Sequence, residues 1–165
     1  HRGHFLSDDL TEQVGTFALI PQLVRKVAVP VIATGALADR AGIAAALRLG
    51  AAAVQVGTAF LLCPEARTGA AHRAALKSDS SAHTAITNVF SGRPARGIVN
   101  RLIRERGPMS ALAPAFPLAN AAVAPLRAAA EARGSGDFSP MWAGQNATGC
   151  KEIAAAALVR ELTSA

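Results

Sequence analysis

The 165-residue sequence predicts an α/β fold built on parallel strands, and three observations lead to that class. Two short apolar runs, roughly Val31–Thr34 and Ala53–Val56, are rich in Val, Ile and Ala, as is typical of strands buried on both faces of a parallel sheet. A helix-length segment separates the two runs. Each run ends in a glycine turn, at Gly35 and Gly57, where the backbone can approach a ligand because glycine has no Cβ atom.

These two turns are a candidate phosphate site, because the loops after strands 7 and 8 of a (β/α)8 barrel commonly bind phosphate. A complete barrel needs about 250 residues, so a chain of 165 residues is too short to form one. A stable sheet normally contains three or more strands. We therefore expect the first half of the chain to need strands that this sequence does not supply.

The segments around the two strands have helical patterns. A helix is predicted from Thr16, with Pro21 in its first turn, where the missing N–H costs nothing. Its apolar face consists of Ile20, Leu23, Val24 and Val27. A second helix is predicted over Arg40–Leu49, with Asp39 as its N-cap and Gly50 ending it. The residues expected to face the sheet from this helix are Ile43, Ala46 and Leu47.

The pattern changes after a third helix, predicted from Pro64 to about Lys77. Residues 84–90 and 95–100 are predicted to form two short strands around a turn. The helices predicted for the rest of the sequence cover Arg101–Arg106, Leu118–Arg133 and Lys151–Leu162. Gly134 is predicted to end the second of these helices.

Composition and charge limit the function classes. The sequence has 17 Lys and Arg against 11 Asp and Glu, and its aromatic content is only 4%. The arginines are scattered and no basic run is interleaved with stacking residues, so the sequence predicts anionic ligands and no nucleic acid. No signal peptide or membrane-length apolar run is visible, and we expect a cytoplasmic protein without a membrane partner.

Cys63 and Cys150 are the two cysteines, and they are far apart in the sequence. Neither belongs to a CxxC motif or a Cys/His cluster, so no metal site is predicted. We expect two reduced thiols, as in a cytosolic protein.

Six stretches along the chain carry a family resemblance, and they are His1–Gly3, Pro30–Asp39, Val54–Phe60, Phe90–Asn100, Pro125–Arg127 and Gly136–Gln145. In this order they resemble the C-terminal half of the nitronate monooxygenases, a flavoenzyme family formerly called 2-nitropropane dioxygenases. Each stretch alone is a weak signal, but the six together cover essentially the whole chain. The related flavin-dependent enoyl reductases share part of the pattern.

The resemblance implies that the fold is the C-terminal portion of a TIM (β/α)8 barrel, incomplete in this chain, with a mainly helical covering region. The two predicted strands would then be the last two strands of the barrel. Three parts are implied: residues 1–80 belong to the FMN-binding barrel, residues 81–150 cover the active-site face, and residues 151–165 form a C-terminal helix.

The resemblance also implies a non-covalently bound FMN, with its phosphate on backbone N–H groups after the two strands and on the Thr58 hydroxyl. The implied cofactor-binding residues are Gly35, Ala36, Gln55, Val56, Gly57, Thr58, Trp142 and Gln145. Ala36 stands where the family usually has a second glycine. If this position requires a positive φ, alanine costs about 1–2 kcal/mol there.

His1 resembles the histidine of the family's Gly-Gly-His-x-Gly motif, which lies beside the flavin and acts as a base toward nitroalkanes or contacts the nitronate oxygens. The alternative is an N-terminus without function. For Arg93, Arg96 and Asn100, which lie in a family-typical stretch, the choice is between ligand contacts and bracing of the covering region. The other histidines, His4, His72 and His83, carry no motif and are interpreted as surface or helix residues.

The implied function is the oxidation of alkyl nitronates with O2 to a carbonyl compound and nitrite, by a flavin-dependent monooxygenase of which this chain is a fragment. We expect the isolated chain to be inactive. One alternative is an FMN-dependent enoyl reductase or NAD(P)H:quinone oxidoreductase. The other is a truncated, catalytically inactive half-barrel that self-associates through unpaired strand edges.

Overall fold

The computed structural model describes residues 9–164 of the chain. These residues form two compact units: the parallel unit, which contains Asp9–Arg67 and residues 149–164, and the hairpin unit, which contains Thr68–Thr148. The predicted three-part division at residues 80 and 150 stays a prediction.

In chain order the helices are α1 (Thr16–Val24), α2 (Arg40–Arg48), α3 (Ala70–Leu76), α4 (Arg101–Arg106), α5 (Leu118–Glu131) and α6 (Ala155–Thr163). The strands are β1 (Ile32–Thr34), β2 (Ala53–Gln55), β3 (Thr84–Thr87) and β4 (Ala95–Ile98). Short 3-10 turns cover Leu10–Glu12, Thr58–Phe60 and Asp79–Ala82.

The parallel unit is organised around β1 and β2, which pair in parallel as predicted, with Ile32 opposite Ala53. Residues of α1 and α2 cover one face of this pair, where Ala33 is 3% exposed and packs with Ile20 and Ala46. Because side chains alternate along a strand, Ile32 points to the other face and is 60% exposed. The expected burial of both faces is therefore wrong for the described residues: helices cover one face only.

The N-cap prediction for α2 is confirmed, since Asp39 Oδ1 accepts a hydrogen bond of 2.7 Å from Gly42 N. The predicted position of Pro21 is wrong. α1 begins at Thr16 directly after Gly15, so Pro21 lies inside the helix, where it provides no N–H for the carbonyl four residues earlier. Three residues of the predicted inward faces are exposed, namely Leu23, Val27 and Leu47.

Glu65 explains two shifted helix boundaries. Both of its carboxylate oxygens accept from Ala155 N over 3.1 Å, so Glu65 caps α6 and does not begin α3. As a result α6 starts at Ala155, four residues after the predicted Lys151, and α3 starts after Gly69 instead of at Pro64. The sequence rules find local caps and cannot find this one, since its two residues are 90 positions apart.

The hairpin unit contains the predicted antiparallel pair, with Thr84 of β3 opposite Ile98 of β4. α4 has the predicted bounds, and Asn100 caps it by accepting from Ile103 N over 3.3 Å. The predicted end of α5 is two residues too late, because its last residue is Glu131 and Gly134 follows with a φ of 74°. Among the described residues, no helix is both long enough and apolar enough to cross a bilayer.

Candidate functional site

The turn after β1 has an unusual backbone conformation. Gly35 has a φ of 99° and Ala36 a φ of 58°, so alanine occupies the left-handed region that favours glycine. This conformation costs an alanine about 1–2 kcal/mol. Thr16, the first residue of α1, holds the turn, since its hydroxyl donates to the carbonyl oxygens of Gly35 at 3.2 Å and of Thr34 at 3.4 Å.

The turn after β2 differs, because neither its φ nor a neighbouring atom among the described residues requires a glycine there. Gly57 has a φ of −114°, which other residues also adopt. A Cβ atom placed on Gly57 would meet nothing within 4 Å, and a 3-10 turn starts immediately after it at Thr58. A ligand can therefore come close to this backbone.

The two turns lie at the same edge of the sheet, because β1 and β2 are adjacent and parallel. The hydroxyl of Thr34 donates to the carbonyl of Gln55 over 3.0 Å and ties the two strand ends together. The structure thus brings the predicted residues Gly35 and Ala36 next to the predicted stretch 55–58. The side chain of Gln55 is exposed, whereas Val56 packs in a second core cluster with Cys63 and Leu158.

This edge fits a phosphate group. Successive turn amides, open space over Gly57 and the start of a 3-10 turn together favour an anion. The N-terminus of α2 contributes little, because the Asp39 carboxylate already accepts from Gly42 N. The residues that would hold the phosphate are therefore those of the two turns, with the Thr58 hydroxyl as a further donor.

Trp142 and Gln145 lie in the hairpin unit, on a segment that extends the β3–β4 pair. Trp142 faces Gly97 in an antiparallel bridge, and its indole meets the Phe90 ring edge-on at 5.8 Å and 88°. A Cβ atom on Gly97 would lie 3.0 Å from the Met141 carbonyl oxygen and 3.4 Å from Cε3 of the indole, so the small residue allows this segment to lie close to the strand. Gln145 is exposed.

The family-typical stretch braces the hairpin unit. Arg96 Nη1 donates to the carbonyl and the hydroxyl of Thr84 over 3.1 Å, and burial lowers the pKa of its guanidinium. Asn100 Nδ2 donates to the carbonyl oxygens of Gly136 and Ser139 over 2.9 Å. The guanidinium of Arg93 lies 5.8 Å from the centre of the Phe116 ring. Arg96 and Asn100 thus connect separate segments of the unit.

His72 lies on α3 and is half-buried, in agreement with its interpretation as a surface or helix residue. Its Nε2 atom is buried without a hydrogen-bond partner among the described residues. Burial lowers the pKa of its imidazole. No motif marks His72, and no pattern of the alanine-rich stretch around it could have indicated the buried Nε2 atom.

The remaining predictions concern His1 and the cysteines. His1 lies outside the described residues. Cys63 and Cys150 are free thiols, and Cys150 Sγ donates to the carbonyl of Thr58 over 3.2 Å, next to the proposed phosphate turn. Burial raises the pKa of Cys150, and the nearby Cys63 adds to that effect. In the part of the chain that the structure describes, no group of three or more His, Cys, Asp or Glu residues could hold a metal ion.

Comparison with known proteins gives a match to one family along the whole chain. The sequence model described as nitronate monooxygenase matches residues 1–165. The chain is 45% identical over 163 residues to a nitronate monooxygenase of Pseudomonas aeruginosa, covering 98% of this chain and 46% of that protein. It is 41% identical over 163 residues to a nitronate monooxygenase of Paraburkholderia phytofirmans, covering 98% of this chain and 44% of that protein.

Solved structures agree with these relatives. A nitroalkane oxidase from Streptomyces ansochromogenes superimposes with a TM-score of 0.88 at 38% identity, over 98% of this chain and 46% of that one. FabK from Thermotoga maritima superimposes with a TM-score of 0.68 at 27% identity, over 91% of this chain and 48% of that one. Both are TIM-barrel enzymes, so the fold corresponds to part of such an enzyme. The chain spans about half the length of the curated relatives it matches.

Proposed function

Since the chain belongs to the nitronate monooxygenase family, we propose that it carries the phosphate-anchoring end of an FMN site in an enzyme that oxidises alkyl nitronates with O2. The products would be a carbonyl compound and nitrite. The observation that carries this proposal is the pair of adjacent turns at one edge of the parallel sheet, Gly35–Ala36 and Gln55–Thr58.

The two turns would hold the FMN phosphate through their backbone N–H groups, and Thr58 would add its hydroxyl. Thr16 and Thr34 hold the turns in place before a ligand binds, through hydrogen bonds of 3.0–3.4 Å. Such preorganisation means that little conformational freedom is lost on binding. FMN, when bound, supplies the redox chemistry, and the chain contributes binding and orientation. Trp142 and Gln145 remain proposed cofactor contacts.

The substrate is proposed to be an anionic nitronate, in keeping with the formal net charge of +6. His1 is the proposed catalytic residue. A histidine suits this role because its pKa lies near neutrality, so that it can accept a proton from a nitroalkane or, as a cation, contact the nitronate oxygens.

The uncovered face of the parallel pair supports a larger barrel around β1 and β2. Ile32, which is 60% exposed, lies on that face, where further strands would bury it. We therefore expect the 165 residues by themselves not to turn over nitronates.

Titration with FMN and with riboflavin, which lacks the phosphate, tests the anchor in the enzyme that contains this chain. We expect the protein to bind FMN more tightly than riboflavin. The Gly57→Val variant places a side chain in the space for the phosphate and should remove this preference while leaving riboflavin affinity unchanged. Gly69→Val is the matched control, because a Cβ atom there also meets nothing within 4 Å. Equal affinities for the two flavins in the parent protein would contradict the proposal.

The likeness to FabK favours one second candidate, an FMN-dependent enoyl reductase or NAD(P)H:quinone oxidoreductase. Anaerobic mixing of the flavin-loaded protein with NAD(P)H distinguishes such a reductase from the monooxygenase. Rapid bleaching of the flavin would support the reductase. Nitronate-dependent O2 uptake without bleaching by NAD(P)H would support the monooxygenase. A protein that binds no flavin would instead fit the inactive half-barrel.

A further inference from the structure

After the hairpin unit, the chain returns to the parallel unit at Gly149 and forms α6. We call residues 150–164 the return segment. Hydrogen bonds and apolar contacts connect this segment to residues 58–65, the stretch that begins with the last residue of the proposed phosphate turn. Two of the hydrogen bonds span 90 and 92 positions of the sequence, so a distant part of the chain lies against this turn.

Two contacts hold the return segment as a whole. Both carboxylate oxygens of Glu65 accept from Ala155 N, at the start of α6, over 3.1 Å. The buried side of α6 also packs with the stretch that follows the turn, in a hydrophobic cluster that contains Ala59, Cys63, Leu158 and Leu162. The return segment is therefore fixed by protein contacts and does not need a ligand to hold it.

A third contact reaches the turn itself. Cys150 Sγ donates to the carbonyl oxygen of Thr58 over 3.2 Å. The same oxygen accepts from Leu61 N at 3.0 Å, within the 3-10 turn. A carbonyl oxygen has two lone pairs, so it can accept both bonds. One bond thus comes from the local backbone and the other from the return segment.

The bond from Cys150 acts on the direction of the backbone. The Thr58 carbonyl belongs to a planar peptide unit, so a bond that fixes the oxygen also fixes the plane of that unit. A rotation of this plane would change the backbone of the last residue of the turn. The proposed phosphate contacts are backbone N–H groups, and their strength depends on direction. Cys150 can therefore influence phosphate binding without contacting the ligand.

The state of the thiol suits this role. Burial raises the pKa of Cys150, and the nearby Cys63 adds to that effect, so the thiol stays protonated at neutral pH. A protonated thiol is a donor, whereas a thiolate would repel the Thr58 oxygen and a bound phosphate. A buried thiol with a raised pKa is also a poor nucleophile. The surroundings of Cys150 thus favour a hydrogen-bond donor over a reactive group.

We propose that the return segment positions the phosphate turn of the flavin site, and that the Cys150 thiol is the positioning residue that orients Thr58. This inference rests on the proposed function and deepens it, since it assigns a role at the site to a segment for which no cofactor contact is proposed. The hydrogen bond between Cys150 and Thr58 carries the inference, and the contacts of α6 keep the thiol in place.

Flavin titration in the enzyme that contains this chain tests the positioning role. Cys150→Ala removes the donor, and the affinity for FMN should fall roughly two- to fivefold, as for one weak hydrogen bond. The affinity for riboflavin, which lacks the phosphate, should stay the same. Cys150→Ser keeps a donor and should restore the preference for FMN. The phosphorus NMR resonance of bound FMN should shift in Cys150→Ala and return toward its parental position in Cys150→Ser.

Amide hydrogen exchange at Leu61 measures the turn without flavin, because this N–H donates to the same Thr58 oxygen. Cys150→Ala should speed the exchange in the flavin-free protein, and Cys150→Ser should not. Ser164→Ala is the matched control. The Ser164 hydroxyl also donates to a backbone carbonyl, that of Arg160 at 2.6 Å, but at the end of α6 and not on the turn. This variant should change neither the exchange nor the flavin preference.

Unaltered exchange at Leu61 in Cys150→Ala would overturn the proposal, as would a preference for FMN equal to that of the parent. Equal losses of affinity for FMN and riboflavin would also overturn it, because they indicate a general loss of structure. A different result would contradict the proposed function alone: the parent binds the two flavins equally, while Cys150→Ala still speeds the exchange. The thiol would then hold the turn as inferred, without a phosphate to bind there.

Discussion

The parallel unit and the hairpin unit bury their strands to very different extents. Ile98 of β4 is 0% exposed, whereas Ile32 of β1 is 60% exposed. In the hairpin unit, Val89, Phe90 and Ile103 form a core to which strand and helix residues add. In the parallel unit, the sheet has helices on one face only. The hairpin unit therefore has a hydrophobic core of its own. The parallel strands are packed on one face and exposed on the other.

This difference shows how the proposed phosphate turns are held. An uncovered sheet contributes little packing, so the turns depend on local hydrogen bonds from Thr16 and Thr34. In the hairpin unit the Trp142 segment is instead fixed by ring packing and two ladder bonds. Substitutions should therefore act differently in the two units.

The largest expected loss of stability follows from truncation of the Ile98 side chain. Ile98→Ala leaves a cavity in a filled core and should lower the free energy of unfolding by about 3–4 kcal/mol. Ile32→Ala should change it by less than about 0.5 kcal/mol, because the side chain is exposed. Urea unfolding of the two variants measures both values. Similar losses would mean that Ile32 is covered in solution and would remove the contrast between the units.

Gly92→Ala should be the next most damaging change, at about 3 kcal/mol. Gly92 has a φ of 85°, and an added Cβ would overlap the backbone of residues 114–116, with Pro114 O at 2.5 Å. Gly134→Ala is the control at a φ of 74° with open space, and should cost about 1 kcal/mol. If thermal unfolding shows equal losses of stability for the two variants, the backbone of residues 114–116 can move away from residue 92.

Ala36→Gly should stabilise the parallel unit by about 1 kcal/mol. The relief of left-handed strain exceeds the entropy that glycine adds to the unfolded chain. Ala44→Gly, on the exposed side of α2, should destabilise by about 1 kcal/mol and provides the control. Denaturant midpoints compare the two variants, and a destabilised Ala36→Gly would show that alanine is not strained at this turn.

Glu65→Gln should have the smallest effect, a loss of about 0.5–1 kcal/mol, because it removes the charged cap of α6 and keeps its size. Helical circular dichroism during thermal unfolding would detect earlier fraying of α6. Glu105→Gln, which removes an exposed partner of Arg101, should cost less and serves as the comparison. A loss that is no greater than that of the comparison would mean that Glu65 does not cap α6.

Short-range rules predicted the elements that local chemistry determines. Asp39, the predicted N-cap of α2, accepts from the first turn of that helix, so it marks a boundary within three residues. The parallel pair also followed from its apolar runs. The same rules placed Pro21 and Pro64 at helix starts, although proline only permits such a position and tertiary contacts decide where the helix begins.

The candidate site was predictable where the backbone determines it. Gly35 and Gly57 follow parallel strands, and the chain itself places them at one edge. The use of the Thr16 hydroxyl could not be predicted, because its partner Gly35 is 19 residues away and no periodicity connects them.

The position of Thr16 also matters for protein engineering. Thr16 is the first residue of α1 and its hydroxyl donates to the carbonyl of Gly35, so this hydrogen bond connects the helix to the turn. Thr16→Ser would preserve that attachment. One residue inserted after Thr16 would rotate the rest of α1 by about 100° relative to this anchor. The turn can thus be perturbed from a helix, without altering any residue that is proposed to contact the cofactor.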